Sequence, residues 1–149
     1  MLGLDPGAET GLAGVCAETG AVLFVRSAGP LSAVRQLDAW GSGHSTDGAI
    51  AAAYVEDSRG LPIYARHGSK GRGERDRVAR SVGRVDSLTD LYLDLLASLD
   101  VPTRAVEPIR AKKWDAATCA RLTGYTGRSN VHGRDALRLV FGRSLPLLP

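Results

Sequence analysis

The first seven residues, Met1-Leu2-Gly3-Leu4-Asp5-Pro6-Gly7, form a short apolar run that carries one carboxylate and then stops. Pro6 and Gly7 end the strand directly after Asp5. The pattern therefore predicts that Asp5 lies at the edge of a sheet, on a rigid element that can support a site. A carboxylate among apolar residues is costly to bury unless it meets a cation, a donor or water. A solvated turn residue is the alternative interpretation, because Asp is common in turns.

Length and composition indicate a globular protein. A chain of 149 residues can bury a real core, and we expect one domain over residues 1–149. No apolar run reaches the roughly 18 residues that a membrane span needs. The N-terminus lacks the pattern of a signal peptide. Cys16 and Cys119 have no metal-binding spacing. We therefore expect a protein of a reducing cytoplasm that does not contact a membrane.

The charges are distributed unevenly along the chain. Residues 1–57 hold two basic and seven acidic residues, a net charge of −5. Residues 58–149 hold 17 basic and nine acidic residues, a net charge of +8. A metal-dependent enzyme that acts on a polyanion needs such an acidic cluster joined to a basic surface. Basic residues that are merely solvated are the alternative interpretation.

The apolar run Ala49–Asp57 is typical of a strand buried on both faces, which favours a central position and parallel pairing. If this strand lies parallel to the first, Asp5 and Glu56 emerge side by side. The predicted elements are an antiparallel meander of three strands up to residue 26, a helix over Pro30–Trp40, the central strand, a helix over residues 74–99, a strand over residues 103–107, a helix that ends near Leu122 and a last helix from about Val131.

Two basic segments predict contacts with phosphate. Residues 59–84 hold eight basic residues and two acidic ones, and such a segment could become ordered on a phosphate backbone. Lys112 and Lys113 stand beside Trp114, although two lysines on the solvated face of a helix explain the pattern equally well. The candidate phosphate-binding residues are Arg72, Arg75, Lys112 and Lys113.

The long helix carries more leucine than packing on one sheet requires. Leu91, Leu93 and Leu96 widen its apolar stripe. This surplus predicts either a dimer surface or contact with the last helices, and we favour the dimer.

Four residues in particular point to a known family: Asp5, Glu56, His132 and Asp135. They come from two strand ends and one late helix, where His132 and Asp135 are three residues apart and share a face. Their order and spacing resemble the RuvC-like Holliday junction resolvases of the ribonuclease H-like nuclease superfamily. The matching segments are LGLDPG at residues 2–7, YVED at 54–57 and HGRDA at 132–136. The resemblance implies an α/β fold with a five-stranded mixed sheet, in order 3-2-1-4-5, and helices on both faces.

The resemblance also implies a catalytic site. Asp5, Glu56 and Asp135 match the catalytic, metal-binding acids of the family. His132 stands where many relatives have an acid and some have histidine, so it is either a metal ligand or a movable base. Asp57 is an outside candidate for a ligand. Oxygen ligands without cysteine suit Mg²⁺, for which Mn²⁺ often substitutes, and two ions can stabilise the attacking and leaving oxygens of phosphodiester hydrolysis.

The function that the resemblance implies is the cutting of four-way DNA junctions by a symmetric homodimer. The enzyme would be a metal-dependent endonuclease that nicks two strands and needs no nucleotide cofactor. Its small size suggests a phage gene, and the site of action would be the cytoplasm of a bacterium or an infected host. One alternative is a nuclease of the same fold that acts on RNA–DNA hybrids or flapped DNA. Another is a non-catalytic nucleic-acid-binding protein.

Overall fold

A five-stranded mixed sheet forms the centre of the computed structural model, which describes residues 1–44, 48–60 and 72–143. The strands lie in the order β3-β2-β1-β4-β5. β1 to β3 pair antiparallel, whereas β4 lies parallel to both β1 and β5. The predicted α/β class and strand order are therefore confirmed. The strands are β1 (Leu2–Asp5), β2 (Thr10–Val15), β3 (Val22–Ala28), β4 (Ala53–Glu56) and β5 (Thr103–Val106).

Helices cover both faces of the sheet, as predicted. Helices α1 and α2 enclose a core that includes Leu37, Trp40 and Tyr92. Helices α3 and α4 enclose a second core, which includes Cys119 and Leu139. No helix in the described parts of the chain is long and apolar enough to span a membrane. The helices are α1 (Pro30–Gly41), α2 (Arg72–Ser98), α3 (Ala116–Thr123) and α4 (Val131–Val140).

Alternation along the central strands decides which residues face α4. Side chains in a strand point to opposite faces in turn. Leu2 and Leu4 of β1 lie in the core under α1 and α2, so Asp5 points to the face that α4 covers. In β4, Val55 lies in that same first core, so Glu56 also points to the α4 face. The alternation places both carboxylates under one helix.

Helix α4 packs directly on the backbone of β1 and β2. A β-carbon at Gly3 would overlap the carbonyl oxygen of Ala136, and one at Gly11 would overlap the carbonyl oxygen of His132. Glycine is required at these positions because any side chain would push the helix away from the sheet. Gly11 is also the residue that pairs with Asp5 across β1 and β2.

Some predicted details are wrong. The fourth strand begins at Ala53 rather than at Ala49, because the preceding alanines leave the sheet and Ala51 is exposed. The spacing of three residues from Leu31 to Trp40 predicts that Leu31 joins a buried stripe on α1, but it does not. It is 66% exposed, and Ala33 takes the buried position. Lys112 and Lys113 do not lie on a helix, because α3 begins only at Ala116.

The surplus leucines of α2 have different environments. Leu96 lies in the first core, and Leu93 packs against that core. Leu91 remains 46% exposed. The homodimer therefore stays a prediction, supported on this helix by a narrower apolar surface than the sequence indicated.

The close packing of α4 yields a testable expectation. Substitution Gly11→Ala should lower the free energy of unfolding by about 2–3 kcal/mol, because the new methyl group must displace the backbone at His132. Urea denaturation of the purified protein measures this change.

Gly83→Ala is the matched control. Gly83 lies on the exposed face of α2, and no described atom beyond the helix backbone lies within 4 Å of its β-carbon position. The added methyl group should therefore raise the free energy of unfolding by roughly 0.5–1 kcal/mol. Equal effects of the two substitutions would contradict the close packing.

Candidate active site

Asp5 and Glu56 lie at the ends of two adjacent parallel strands. The pairing of Leu4 with Val55 is the last register position before both carboxylates. Pro6 follows Asp5 and cannot donate to a sheet ladder, so β1 ends there. The Asp5 side chain is only 15% exposed. The predicted emergence of the two carboxylates side by side is thus what the strand register produces.

Both carboxylates hold their protons unusually tightly. Burial, and after it the nearby charge of Asp135, raises the pKa of Asp5 to about 7. Burial also raises the pKa of Glu56 to about 7, with further contributions from Asp5 and Asp135. The charge of Lys113 acts in the opposite direction on both pKa values. Three acids therefore share a poorly solvated region with an excess of negative charge.

Helix α4 brings the other two predicted residues to this region. The Asn130 side chain caps the helix by accepting a hydrogen bond from the Gly133 amide at 3.0 Å. In the first turn, Nδ1 of His132 lies 3.6 Å from Oδ2 of Asp5, and its side chain is 43% exposed. Asp135 follows one turn later and is 7% exposed. The structure thus gathers Asp5, Glu56, His132 and Asp135 at one edge of the sheet.

Two cations contact Asp135. The Nζ of Lys113 forms an ion pair with Oδ2 of Asp135. The Nη1 of Arg138 lies 3.4 Å from Oδ1 of the same carboxylate. The contact of Arg138 was not among the predictions, although its spacing of three residues from Asp135 indicates a shared helix face.

The carboxylate oxygens of this site are chemically suited to bind a divalent cation. Hard carboxylate oxygens that repel one another are the ligands that Mg²⁺ prefers, and a cation would relieve the repulsion. Asp5, Glu56 and Asp135 are the residues that would hold it, with His132 beside them. Among the described residues, however, no group of three or more His, Cys, Asp or Glu side chains is positioned to hold a metal ion as it stands.

The structure describes some of the other predicted site residues fully and others only in their backbone. Arg72 and Arg75 lie at the start of α2, and their side chains are outside the described part. Lys112 is exposed, whereas Lys113 is paired with Asp135. Asp57 is paired with Arg59 at 2.7 Å, so a neighbouring guanidinium already engages this outside candidate.

The same fold occurs in solved structures. A structure of T. thermophilus RuvC in complex with a Holliday junction substrate superposes with a TM-score of 0.52 and 18% identity. The match covers 94% of this chain and 88% of that one. The chain has the RuvC fold. A second Thermus thermophilus RuvC structure matches with a TM-score of 0.50 and 17% identity, over 94% of this chain and 90% of that one.

The similarity to RuvC extends over the whole fold, whereas in the sequence it is confined to three short segments. No model of a known protein family matches the sequence, and no curated protein matches it significantly. The resemblance stated from the sequence is therefore confirmed for the fold. The roles of the individual site residues rest on their positions in this chain.

The raised pKa values predict a pH-dependent stability. A carboxyl group whose pKa is higher in the folded state than in the unfolded state favours folding at low pH, and this contribution is lost as the pH rises through the folded-state pKa. For Asp5 the loss runs from about pH 4 to about pH 7. Without metal, Asp5→Asn should therefore leave stability nearly unchanged at pH 4.5 and raise it by roughly 2 kcal/mol at pH 8.

Denaturation curves at the two pH values, in the presence of a chelator, check this expectation. The control is Asp94→Asn, which removes an exposed carboxylate from α2 and should have no pH-dependent effect. A destabilising effect of Asp5→Asn at pH 8 would show that Asp5 is satisfied in the folded protein.

Proposed function

We propose that the protein is a divalent-metal-dependent endonuclease that cuts four-way DNA junctions. The observation that carries this proposal is the meeting of Asp5, Glu56 and Asp135 at one sheet edge, with two of their pKa values raised to about 7. Such an excess of buried negative charge is costly for stability, and a site for Mg²⁺ explains why it is present. The solved RuvC structure that holds a Holliday junction supports the choice of substrate.

In this proposal the acids hold Mg²⁺, with Mn²⁺ as a substitute and two ions in each site. When bound, such ions supply Lewis-acid stabilisation of the charge on the attacking and leaving oxygens. The contribution of the chain is to fix the acids on β1, β4 and α4, which are rigid elements. Rigid support matters because small displacements at the reacting centre are costly.

We assign His132 the role of general base. Its imidazole is partly exposed, so water can reach it, and Asp5 lies 3.6 Å from its Nδ1. An imidazole in such a position can accept a proton from the attacking water. This placement favours proton transfer over service as a fixed ligand.

Cutting a junction in two strands requires two active sites, so the proposal includes a homodimer. Exposed Leu91 on α2 is one apolar residue available for such contact. Exposed Lys112, Arg104 and Arg110 lie on and after β5 and provide positive charge for the DNA backbone. The net charge of +8 over residues 58–149 supports the same partner.

A cleavage assay tests the proposed reaction. The purified protein should cut a synthetic four-way junction in the presence of Mg²⁺ and produce paired nicks. Asp5→Asn and Asp135→Asn should each lower the rate by at least about 100-fold, because each removes a charge that the ions need. Asp94→Asn on exposed α2 is the control and should retain the rate. Full cleavage by Asp5→Asn would refute the assignment.

Competing substrates separate the alternatives within the fold. Equal amounts of junction, RNA–DNA hybrid, flapped DNA and linear duplex should give preferential cleavage of the junction. Preferential cleavage of the hybrid or the flap would support a related nuclease instead. Junction binding without cleavage in either Mg²⁺ or Mn²⁺ would support a non-catalytic binding protein.

The role of His132 has its own test. His132→Ala should lower the cleavage rate by about 100-fold or more, while junction affinity without metal stays unchanged. Raising the Mn²⁺ concentration should not restore the rate if the imidazole transfers a proton. Restoration by added Mn²⁺ would instead identify His132 as a metal ligand.

A further inference from the structure

We propose that Lys113 is an exchangeable counter-ion of the carboxylate site, held in place by two arginines of α4. In the protein as described, the Lys113 ammonium binds Asp135 where a divalent cation would need that carboxylate. Arg134 and Arg138 fix the backbone on either side of the lysine pair and thereby position Lys113. This inference deepens the proposed function, because it concerns how the same site accepts its cation.

The two cations on Asp135 differ in freedom. The side chain of Arg138 is 6% exposed and that of Asp135 is 8% exposed, so this pair is enclosed by the protein. The side chain of Lys113 is 66% exposed. An exposed ammonium on a flexible stem can return to water at little cost, whereas a buried guanidinium cannot. Lys113 is therefore the partner that a divalent cation would displace.

The segment that carries Lys113 is irregular, yet it is bound at two points. The Nη2 of Arg138 donates to the carbonyl oxygen of Ala111 at 2.9 Å. The Nε of Arg134 donates to the carbonyl oxygen of Trp114 at 2.9 Å. These two carbonyls flank Lys112 and Lys113. The helix that carries Asp135 therefore also fixes the backbone from which the two lysine side chains extend.

Further contacts make the attachment rigid. Arg134 uses its Nη1 to hold the Ser129 carbonyl oxygen at 3.0 Å, just before α4 begins. The Arg138 guanidinium lies 5.9 Å from the centre of the Trp114 ring, and that ring meets Phe141 edge-on at 6.3 Å. Because one guanidinium fork can serve several acceptors at once, each arginine ties α4 to its surroundings.

The electrostatic reach of Lys113 fits this role. Its charge opposes the rise in pKa at both Asp5 and Glu56, as well as contacting Asp135. One ammonium thus partly balances three acids. A divalent cation that replaced it would be attracted by the charges of the same three acids.

The affinity of the full-length protein for Mn²⁺ tests the exchange. In a calorimetric or spin-resonance titration without DNA, Lys113→Met should lower the Kd for Mn²⁺ by about tenfold, because a competing positive charge is gone. Lys112→Met is the matched control. It removes the neighbouring exposed charge, and it should change the Kd by less than about twofold. An unchanged Kd in Lys113→Met would overturn the exchange.

A double-mutant cycle tests the positioning by Arg134. Arg134→Met should lower the Kd for Mn²⁺ by about threefold when Lys113 is present and have no effect when Lys113 is already methionine. Arg134→Lys, which retains a donor for the Trp114 carbonyl, should restore most of the original Kd. The same change of Kd in both backgrounds would show that Arg134 only supports the structure, and would overturn its positioning role.

The outcomes for this inference and for the proposed function are distinguishable. Junction cleavage by the original protein together with an unchanged Kd in Lys113→Met would refute the exchange and leave the nuclease intact. Tighter Mn²⁺ binding by Lys113→Met in a protein that cuts no DNA would support the exchange and refute the nuclease. If neither protein binds Mn²⁺, the exchange is refuted.

Discussion

The contact between the backbone of α4 and two strand glycines determines where the candidate site can form. Gly3 and Gly11 leave room for the carbonyl oxygens of Ala136 and His132, so the helix lies directly on β1 and β2. Had either strand carried a side chain there, the helix would stand further from the sheet. His132 would then no longer approach Asp5. The approach of His132 to Asp5 therefore depends on Gly3 and Gly11, two residues without a side chain.

The site creates a conflict between stability and function that the rest of the fold must offset. Asp5, Glu56 and Asp135 repel one another where water is scarce, and burial together with this repulsion raises the pKa of Asp5 and of Glu56. Lys113 and Arg138 reduce the repulsion. On the opposite face of the sheet, the buried polar groups of the described residues include the hydroxyls of Thr10 and Tyr92, which satisfy each other at 2.6 Å.

Much of the fold and the four gathered site residues could be predicted, because strand ends and helix faces are local patterns and three short segments resemble the RuvC-like nucleases. Asp5 and Glu56 each end a short apolar run, and parallel pairing places such ends together. His132 and Asp135 share a helix face because they are three residues apart. The start of β4 was misplaced because a run of small apolar residues does not show where pairing begins. Leu31 was misplaced because the stripe of α1 includes the smaller Ala33 instead.

The sequence by itself determined the order of the elements and the two faces of the central strands. These follow from periodicities of two and of 3.6 residues, which neighbouring residues establish without the rest of the chain. Only the tertiary structure decided that Lys113 is a partner of Asp135. Lys113 reaches it from an irregular segment 22 residues earlier. Arg134 and Arg138 hold that segment through backbone carbonyls, which every residue possesses. Contacts of this kind leave no pattern in a sequence, because they depend on where the packed helix places its side chains.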